Sequence, residues 1–513
     1  MTADSLDIKT LTIDGGRLVI RGTERSGMAP EDIGIYTCDE TGSEAKAETA
    51  PYRSGAVCFS LDIPVHDGQV ISFRTDPGEA GGPSLSFDRS TGLRNRIKHD
   101  YTVISGHIVA RKGRKLVILR DTPLNRAKAE AYVAYEMLRK DKAAWPGKRL
   151  RELRLRRMIG SAPLEDRVTF ITPRSTDCLT GSMEKVYSAL DLPKTYLAVP
   201  DMGYDSAGAE KALRLIASSR IVVTDDYLTP LRLYDKKPGQ RIVQLWHATG
   251  AGKKFGRDGT NMFPDVDALT HKDYDAVTVS AEGIRGFYAH ALSLPVSRIK
   301  AIGVARTDDY FDPGYAEAAR RMVFEKHPGL EGRRLIMYAP TFRDVPGEGR
   351  SSFRPDIDFG ELSEALPEDC VFVICPHPVM TERILDGEYD NILELRDIST
   401  KDMMFASDVL VTDYSSVFFE YSLLDRPMAF YCYDFDTYER DFYMDFENEI
   451  PGPLMKTREE FLDYIRRGEF VRTESYAGFR DKYLGACDGH STERTVKMIK
   501  EMFDGTFSDQ EAK

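Results

Sequence analysis

The chain has 513 residues, 42% hydrophobic and 30% charged, with 82 acidic against 70 basic side chains and a net charge of −12. That length predicts about three domains at roughly 100–200 residues each, and a mean hydropathy of −0.38 without an apolar run of about 18 residues excludes an integral membrane protein. The acidic total argues against bulk nucleic-acid binding, and the opening MTADSLDIKTLTIDGG lacks the basic start and apolar core of a secretion signal, so the expected location is the cytoplasm.

Residues 7–120 alternate short apolar runs (RLVIRG, GAVCFSLDIPV, GQVISFRT, HIVARKGRKLVILR) with Gly, Asp, Ser and Pro clusters, which predicts a small antiparallel β domain. Helix formers with periodic apolar positions begin near Leu124 and predict a connecting helix. Next, KRLRELRLRRM at 148–158 sets Lys148, Arg149, Arg151, Arg154, Arg156 and Arg157 against a single acid, Glu152. Such a run suits an anionic membrane surface or a polyanionic acceptor; a solvated helix face is the plainer alternative.

From Arg167 onward strands and helices alternate. The strand runs are RVTFIT, KTYLAV, RIVVTD, RIVQLW, DAVTVS and IKAIGV, with helices around 208–218 and 282–292. After a helix at 314–326 the rhythm repeats with RLIMYAP, CVFVICP, DVLVTD and PMAFYC. This pattern builds parallel sheets covered by helices, and its length asks for two α/β domains divided near 303–315. Seven cysteines, at 38, 58, 178, 370, 375, 432 and 487, are scattered without a CxxC pair and are expected to be reduced core thiols, with no disulfide framework and no zinc site.

Ligands of open α/β sheets bind beyond the carboxyl ends of the strands. Four strand runs lead there into His247-Ala-Thr-Gly-Ala-Gly-Lys-Lys, Pro340-Thr341-Phe342-Arg343-Asp344, Pro376-His377-Pro378 and Thr412-Asp413-Tyr414-Ser415-Ser416. His247 can serve as a general base on an alcohol, or be structural. His377, clamped by two prolines, is a fixed donor for a phosphate oxygen or leaving group, or a rigid loop end. Ser415 and Ser416 can cap the helix that starts VFFEYSLLD, with or without a phosphate at its N-terminus, and Glu420 one turn in can meet ribose hydroxyls or act as a surface or capping residue. Asp434-Phe-Asp436 fits a metal-binding D-x-D pattern, but the pattern recurs at 265–267, 273–275 and 356–358 and carries little weight. The usual P-loop, dinucleotide, nucleophile-elbow and zincin motifs are missing from the sequence.

The string VTDYSSVFFEYSLLDRPMAFYCYDFDTYE at 411–439 resembles the signature of the CDP-glycerol glycerophosphotransferase family, teichoic acid polymerases and primases. QLWHATGAGKKFG at 244–256, IGVARTDDYF at 302–311, YAPTFRD at 338–344, CPHP at 375–378 and DGHSTER at 488–494 come in that family's order, so the resemblance covers about 165–500. It implies a GT-B-like pair of Rossmann-type domains preceded by the small β domain. The boundaries become a β-rich accessory domain at 1–122, a helical basic connector at 123–160, an acceptor-side domain at 161–305, a donor-binding domain at 306–505 and a tail at 506–513.

The same resemblance implies transfer of polyol phosphate from CDP-glycerol or CDP-ribitol to a hydroxyl of a lipid-linked polyol-phosphate or glycan acceptor, releasing CMP, at the inner membrane face and without metal or cofactor. His247 would activate the acceptor hydroxyl and His377 would hold the donor pyrophosphate. Arg306, Thr341, Arg343, Asp413, Ser415, Ser416 and Glu420 would line the donor pocket. A GT-B glycosyltransferase using a nucleotide sugar, and an inactive polymer-binding protein, are the alternatives.

Overall fold

The computed structural model describes residues 159–508, apart from 203–205, 235, 260–269, 345–350, 353–354, 378–379, 381 and 439–440, together with Lys128 and most strand-forming stretches of 5–125. The basic run 148–158 and nearly all of the expected connecting helix lie outside these residues. No helix among the described residues is long and apolar enough to cross a membrane.

Among the described residues, eleven strands between Ser5 and Arg120 form two sheets. Pairing is antiparallel as expected except where Ser5–Asp14 meets Ser84–Phe87 in parallel. Leu18 and Ile20 on one strand, and Leu61 and Ile63 on its partner, are buried at alternate positions, the period of a sheet with one face packed inward.

The first parallel sheet has six strands in the order Lys194–Ala198, Glu165–Thr172, Ser219–Thr224, Arg241–Gln244, Ala276–Thr278, Ile299–Lys300. The second has Ile392–Glu394, Cys370–Ile374, Arg334–Ala339, Val409–Thr412, Met428–Tyr431, Leu454–Met455. Most of these strands are buried on both faces, which is why they read as unbroken apolar runs rather than alternating ones. In chain order the second sheet runs 3-2-1-4-5-6, the dinucleotide-fold order, and the first runs 2-1-3-4-5-6. Each therefore has one point where successive connections leave in opposite directions, opening a crevice at the carboxyl ends of two adjacent strands. In the first lobe these strands are Glu165–Thr172 and Ser219–Thr224; in the second they are Arg334–Ala339 and Val409–Thr412.

Chain order and spatial order part at the C-terminus. Helix Ser491–Asp504 comes after the second sheet in sequence but buries Met498, Ile499 and Met502 against Val168, Phe170 and Val223 of the first. The turn Ala305–Phe311 between the lobes holds it there. Asp308 accepts the N–H groups of Ser491 (2.9 Å) and Thr492 (2.7 Å), satisfying two of the helix's orphan donors, and Arg494 returns hydrogen bonds to the Ile302 and Ala486 carbonyls. The IGVARTDDYF and DGHSTER strings thus meet as one strap between the lobes. Asp309 adds a second tie, pairing with Lys185 of the first lobe and Lys401 of the second.

The lobes also share a core, where the small residues after His247 meet Phe419 of helix Val417–Tyr421. Gly250 has φ +69°, and a Cβ there would sit 2.3 Å from the Phe419 ring. Gly250→Ala is expected to cost more than about 2 kcal/mol through overpacking and backbone strain together. Gly239→Ala, at φ +80° with nothing within 4 Å of the added carbon, should lose only the backbone part, so denaturant titration of the two variants separates the terms. Of the cysteines, Cys370, Cys375, Cys432 and Cys487 are buried as expected, but Cys178 is exposed, because it lies in the loop after the first strand rather than in a strand.

Candidate active site

In the first lobe, strand Arg241–Gln244 ends in a turn at Trp246, whose φ of +56° is rare for a bulky residue. Packing over-determines it: the indole is buried among Tyr227, Phe255 and Tyr288, and the His247 ring stacks on it at 4.6 Å and 24°. His247 Nδ1 lies 3.0 Å from the Asp225 carbonyl, which only accepts, so Nδ1 carries the ring proton and Nε2 keeps its lone pair. Burial lowers the His247 pKa below the usual 6.5; Asp226, with Oδ2 3.5 Å from Nδ1, pulls the other way, and Arg174 adds to the lowering. The ring is a neutral base at pH 7.

Asp225 and Asp226 come directly after strand Ser219–Thr224, and Arg174 lies just beyond Glu165–Thr172, so all three flank the first crevice. Arg174 Nη1 donates to Asp226 Oδ2 at 2.9 Å, the oxygen that also faces His247. Sequence reasoning missed these three residues, although the strand-end rule that singles out His247 applies equally to the loops after RVTFIT and RIVVTD.

Asp225 is 5% exposed with Oδ1 unpartnered, and burial raises its pKa to about 6 despite the Thr172 hydroxyl and Arg174. A pKa raised in the folded state contributes stability that is full below the unfolded value near 3.9 and lost as pH rises through about 6, here about 3 kcal/mol. Asp225→Asn is expected to abolish that dependence, so its unfolding free energy should gain on the wild type by about that amount between pH 4 and 7. Parallel pH profiles in chemical denaturation would contradict the assignment.

In the second lobe, Thr341 and Asp413 sit on either side of the crevice. Asp413 Oδ1 accepts the Thr341 N–H at 2.8 Å, and the buried Thr341 hydroxyl has no hydrogen-bond partner. His377 is exposed beyond strand Cys370–Ile374, with its ring centroid 5.1 Å from that of Phe342. Partial desolvation by its neighbours lowers the pKa of this surface ring, and the charges of Arg174 and Lys253, both from the first lobe, lower it further. Arg174 thus acts on both histidines, and Lys253 on His377 and Asp413. The two crevices face a common space.

Ser416 occupies the N-cap position of helix Val417–Tyr421 without a side-chain cap bond, its hydroxyl exposed and Ser415 half-buried; the helix is only five residues long. Arg343 forks onto both Asp434 oxygens (2.8 and 3.1 Å) and pairs with Asp413 Oδ2 at 3.0 Å, so its charge is neutralised from within. Asp434 also accepts from Tyr414. Glu420 is 5% exposed and accepts from Thr249, Arg306 and Tyr310, so it ties both lobes together. Arg306 spends its charge on Glu420 while its Nε stays buried and unpartnered. Neither carboxylates nor arginines reveal their partners in sequence, since all these pairs join distant segments.

Two lobes of parallel sheet with facing switch points define a GT-B-like enzyme fold. The wall teichoic acid polymerase TagF shares it, with a TM-score of 0.53 and 21% identity over 67% of this chain and 91% of that one; a TagF variant soaked with CDPG aligns with a TM-score of 0.54 over 67% and 91% at 20% identity. The chain belongs to the CDP-glycerol:poly(glycerophosphate) glycerophosphotransferase family, whose family model matches residues 187–501. Similar proteins include the teichoic acid ribitol-phosphate primase of Bacillus spizizenii (36% identical, over 55% of this chain and 75% of that protein) and the glycerol-phosphate primase of Bacillus subtilis (28%, over 57% and 76%). The poly(ribitol-phosphate) polymerase of Bacillus spizizenii is 35% identical over 55% of this chain, but the match spans only 47% of its length.

Proposed function

We propose that this chain transfers glycerol phosphate, or a related polyol phosphate such as ribitol phosphate, from its CDP ester to a hydroxyl of a membrane-linked acceptor in teichoic-acid-type polymer synthesis, releasing CMP. The observation that carries this reading is His247, whose Nδ1 is held by the Asp225 carbonyl beside the first-lobe crevice so that Nε2 is kept as a base, with His377 one strand from the second-lobe crevice and the Arg174 charge acting on both rings. The family and the relatives' activities support the same reaction.

In the reaction the acceptor oxygen attacks the phosphorus that bears the polyol, its proton passes to His247 Nε2, and the bond to the CMP phosphate breaks with its electron pair on CMP. Phosphoryl transfer asks mainly for alignment and for positive charge around the phosphate oxygens. His377, Lys253 and the exposed Ser416 hydroxyl would meet the donor phosphates, with Thr341 lining the pocket beside them. Asp413 would act through the Thr341 backbone, while Arg343, Arg306 and Glu420 would brace the pocket from behind. Attachment to an anionic membrane surface rests on the sequence of 148–158 alone, and charge reversal there should weaken binding to anionic vesicles at low salt.

The test is a donor panel. CMP release from CDP-glycerol or CDP-ribitol, dependent on a lipid-linked or synthetic acceptor and lowered about 100-fold or more in His377→Ala, is the expected result. Turnover of nucleotide sugars alone would favour a glycosyltransferase, and polymer binding without any turnover would favour a binding protein.

A further inference from the structure

Beyond the two histidines, the space between the crevices holds a cation to which the proposed reaction gives no substrate contact. Arg174 leaves strand Glu165–Thr172 at the first-lobe switch point, the position where α/β sheets receive ligands, and its N–H caps back onto the Thr172 hydroxyl at 3.1 Å. Its side chain is 42% exposed, and its guanidinium has one anionic partner, Asp226, at 2.9 Å, among the contacts described. Arg343 and Arg306, by contrast, are closed off by interior carboxylates. A solvent-screened pair such as Arg174–Asp226 holds its arginine loosely, and a phosphate oxygen offers the planar fork a stronger partner.

We infer that Arg174 is the binding residue for an anionic phosphate of the acceptor, so that the site takes a hydroxyl already linked to a phosphate in preference to a neutral polyol. The inference rests on the proposed function, because it places the acceptor on the His247 side. The geometry gives it that side: Arg174 and His247 share one oxygen, Asp226 Oδ2, at 2.9 and 3.5 Å. A phosphate on Arg174 therefore holds the attached polyol next to the ring that takes its proton, and a neutral polyol lacks that anchor. Asp226 repels a second anion at the same place, which limits the subsite to one phosphate.

The experiment separates this inference from the reaction. Glycerol 3-phosphate and glycerol are titrated calorimetrically into the full chain, with CMP present throughout to fill the donor side. Glycerol 3-phosphate should bind and glycerol should not. Arg174→Gln should weaken glycerol 3-phosphate by about tenfold or more, the size of one charge-assisted hydrogen bond, and Arg174→Lys by less. With a competent donor, Arg174→Gln should raise the acceptor KM by a similar factor and leave the donor KM within about twofold. Equal binding by wild type and Arg174→Gln, equal binding of glycerol and its phosphate, or a donor KM that rises with the acceptor KM would each overturn the inference. A chain that binds glycerol 3-phosphate through Arg174 yet turns over no CDP-polyol would refute the proposed function and leave the anion subsite standing. Because Arg174 is partly exposed, its truncation opens no cavity, and an unchanged melting temperature verifies the fold.

Discussion

His247→Ala is expected to lower kcat for CMP release by about 10²–10⁴-fold, the range of a positioned general base, with little change in stability. The loss should be accompanied by a change in pH dependence. Burial depresses the ring's pKa below 6.5, so wild-type activity should be flat at neutral pH and fall as pH drops through that depressed value, because the protonated ring has no lone pair for the acceptor proton. His247→Ala should lose this acidic limb. His247→Gln should not restore rate, since an amide can fill the space against Trp246 but cannot take the proton. A variant that keeps the limb would assign it to another group, with Asp225, at about 6, the nearest candidate. The readout is a pH–rate profile for both variants at saturating donor.

Glu420→Ala should produce the largest loss of stability, about 3–5 kcal/mol, because it leaves the half-buried Arg306 guanidinium, whose Nε is fully buried, charged without its partner. The Thr249 and Tyr310 hydroxyls lose their acceptor in the same step. The Glu420 pKa lies below the usual carboxylate range: burial raises it, but Arg306 and the three hydrogen bonds more than offset that. The carboxylate is therefore ionised wherever the enzyme would work. Replacing both members, as in Glu420→Leu with Arg306→Met, should be less damaging than Glu420→Ala alone, since no charge is stranded. Denaturant titration of the single and double variants checks this. A single-variant loss below about 1 kcal/mol would mean that the pair is screened by solvent.

Glu420 also marks the limit of what residue order conveys. On its own, a glutamate one turn into a helix after a Ser-Ser pair fits a ribose contact. Its partners come from residues 249, 306 and 310, more than 100 positions away, and only folding brings them near. Arg343 obeys the same logic with Asp434, 91 residues distant. Helix Ser491–Asp504 belongs with the first sheet for a similar reason: its apolar stripe says that it packs, not against which sheet.

A net charge of −12 stands in apparent conflict with a chain proposed to handle two anionic substrates. The fold resolves it by distribution. Asp413, Asp434 and Glu420 are turned inward onto arginines, while Arg174 and Lys253 act on the space between the histidines.

The sequence by itself determined all six strands of the first parallel sheet, the four inner strands of the second and the motif residues at their carboxyl ends, but not the short edge strands Ile392–Glu394 and Leu454–Met455. Strands buried on both faces must be apolar along their whole length, and the connections leaving their carboxyl ends must carry the chemistry. Tertiary structure alone decided which of those residues pair with one another across the lobes and which stay open to the space between them. That choice depends on strand order and lobe contact, set by packing between segments far apart in the chain, and no local pattern encodes it.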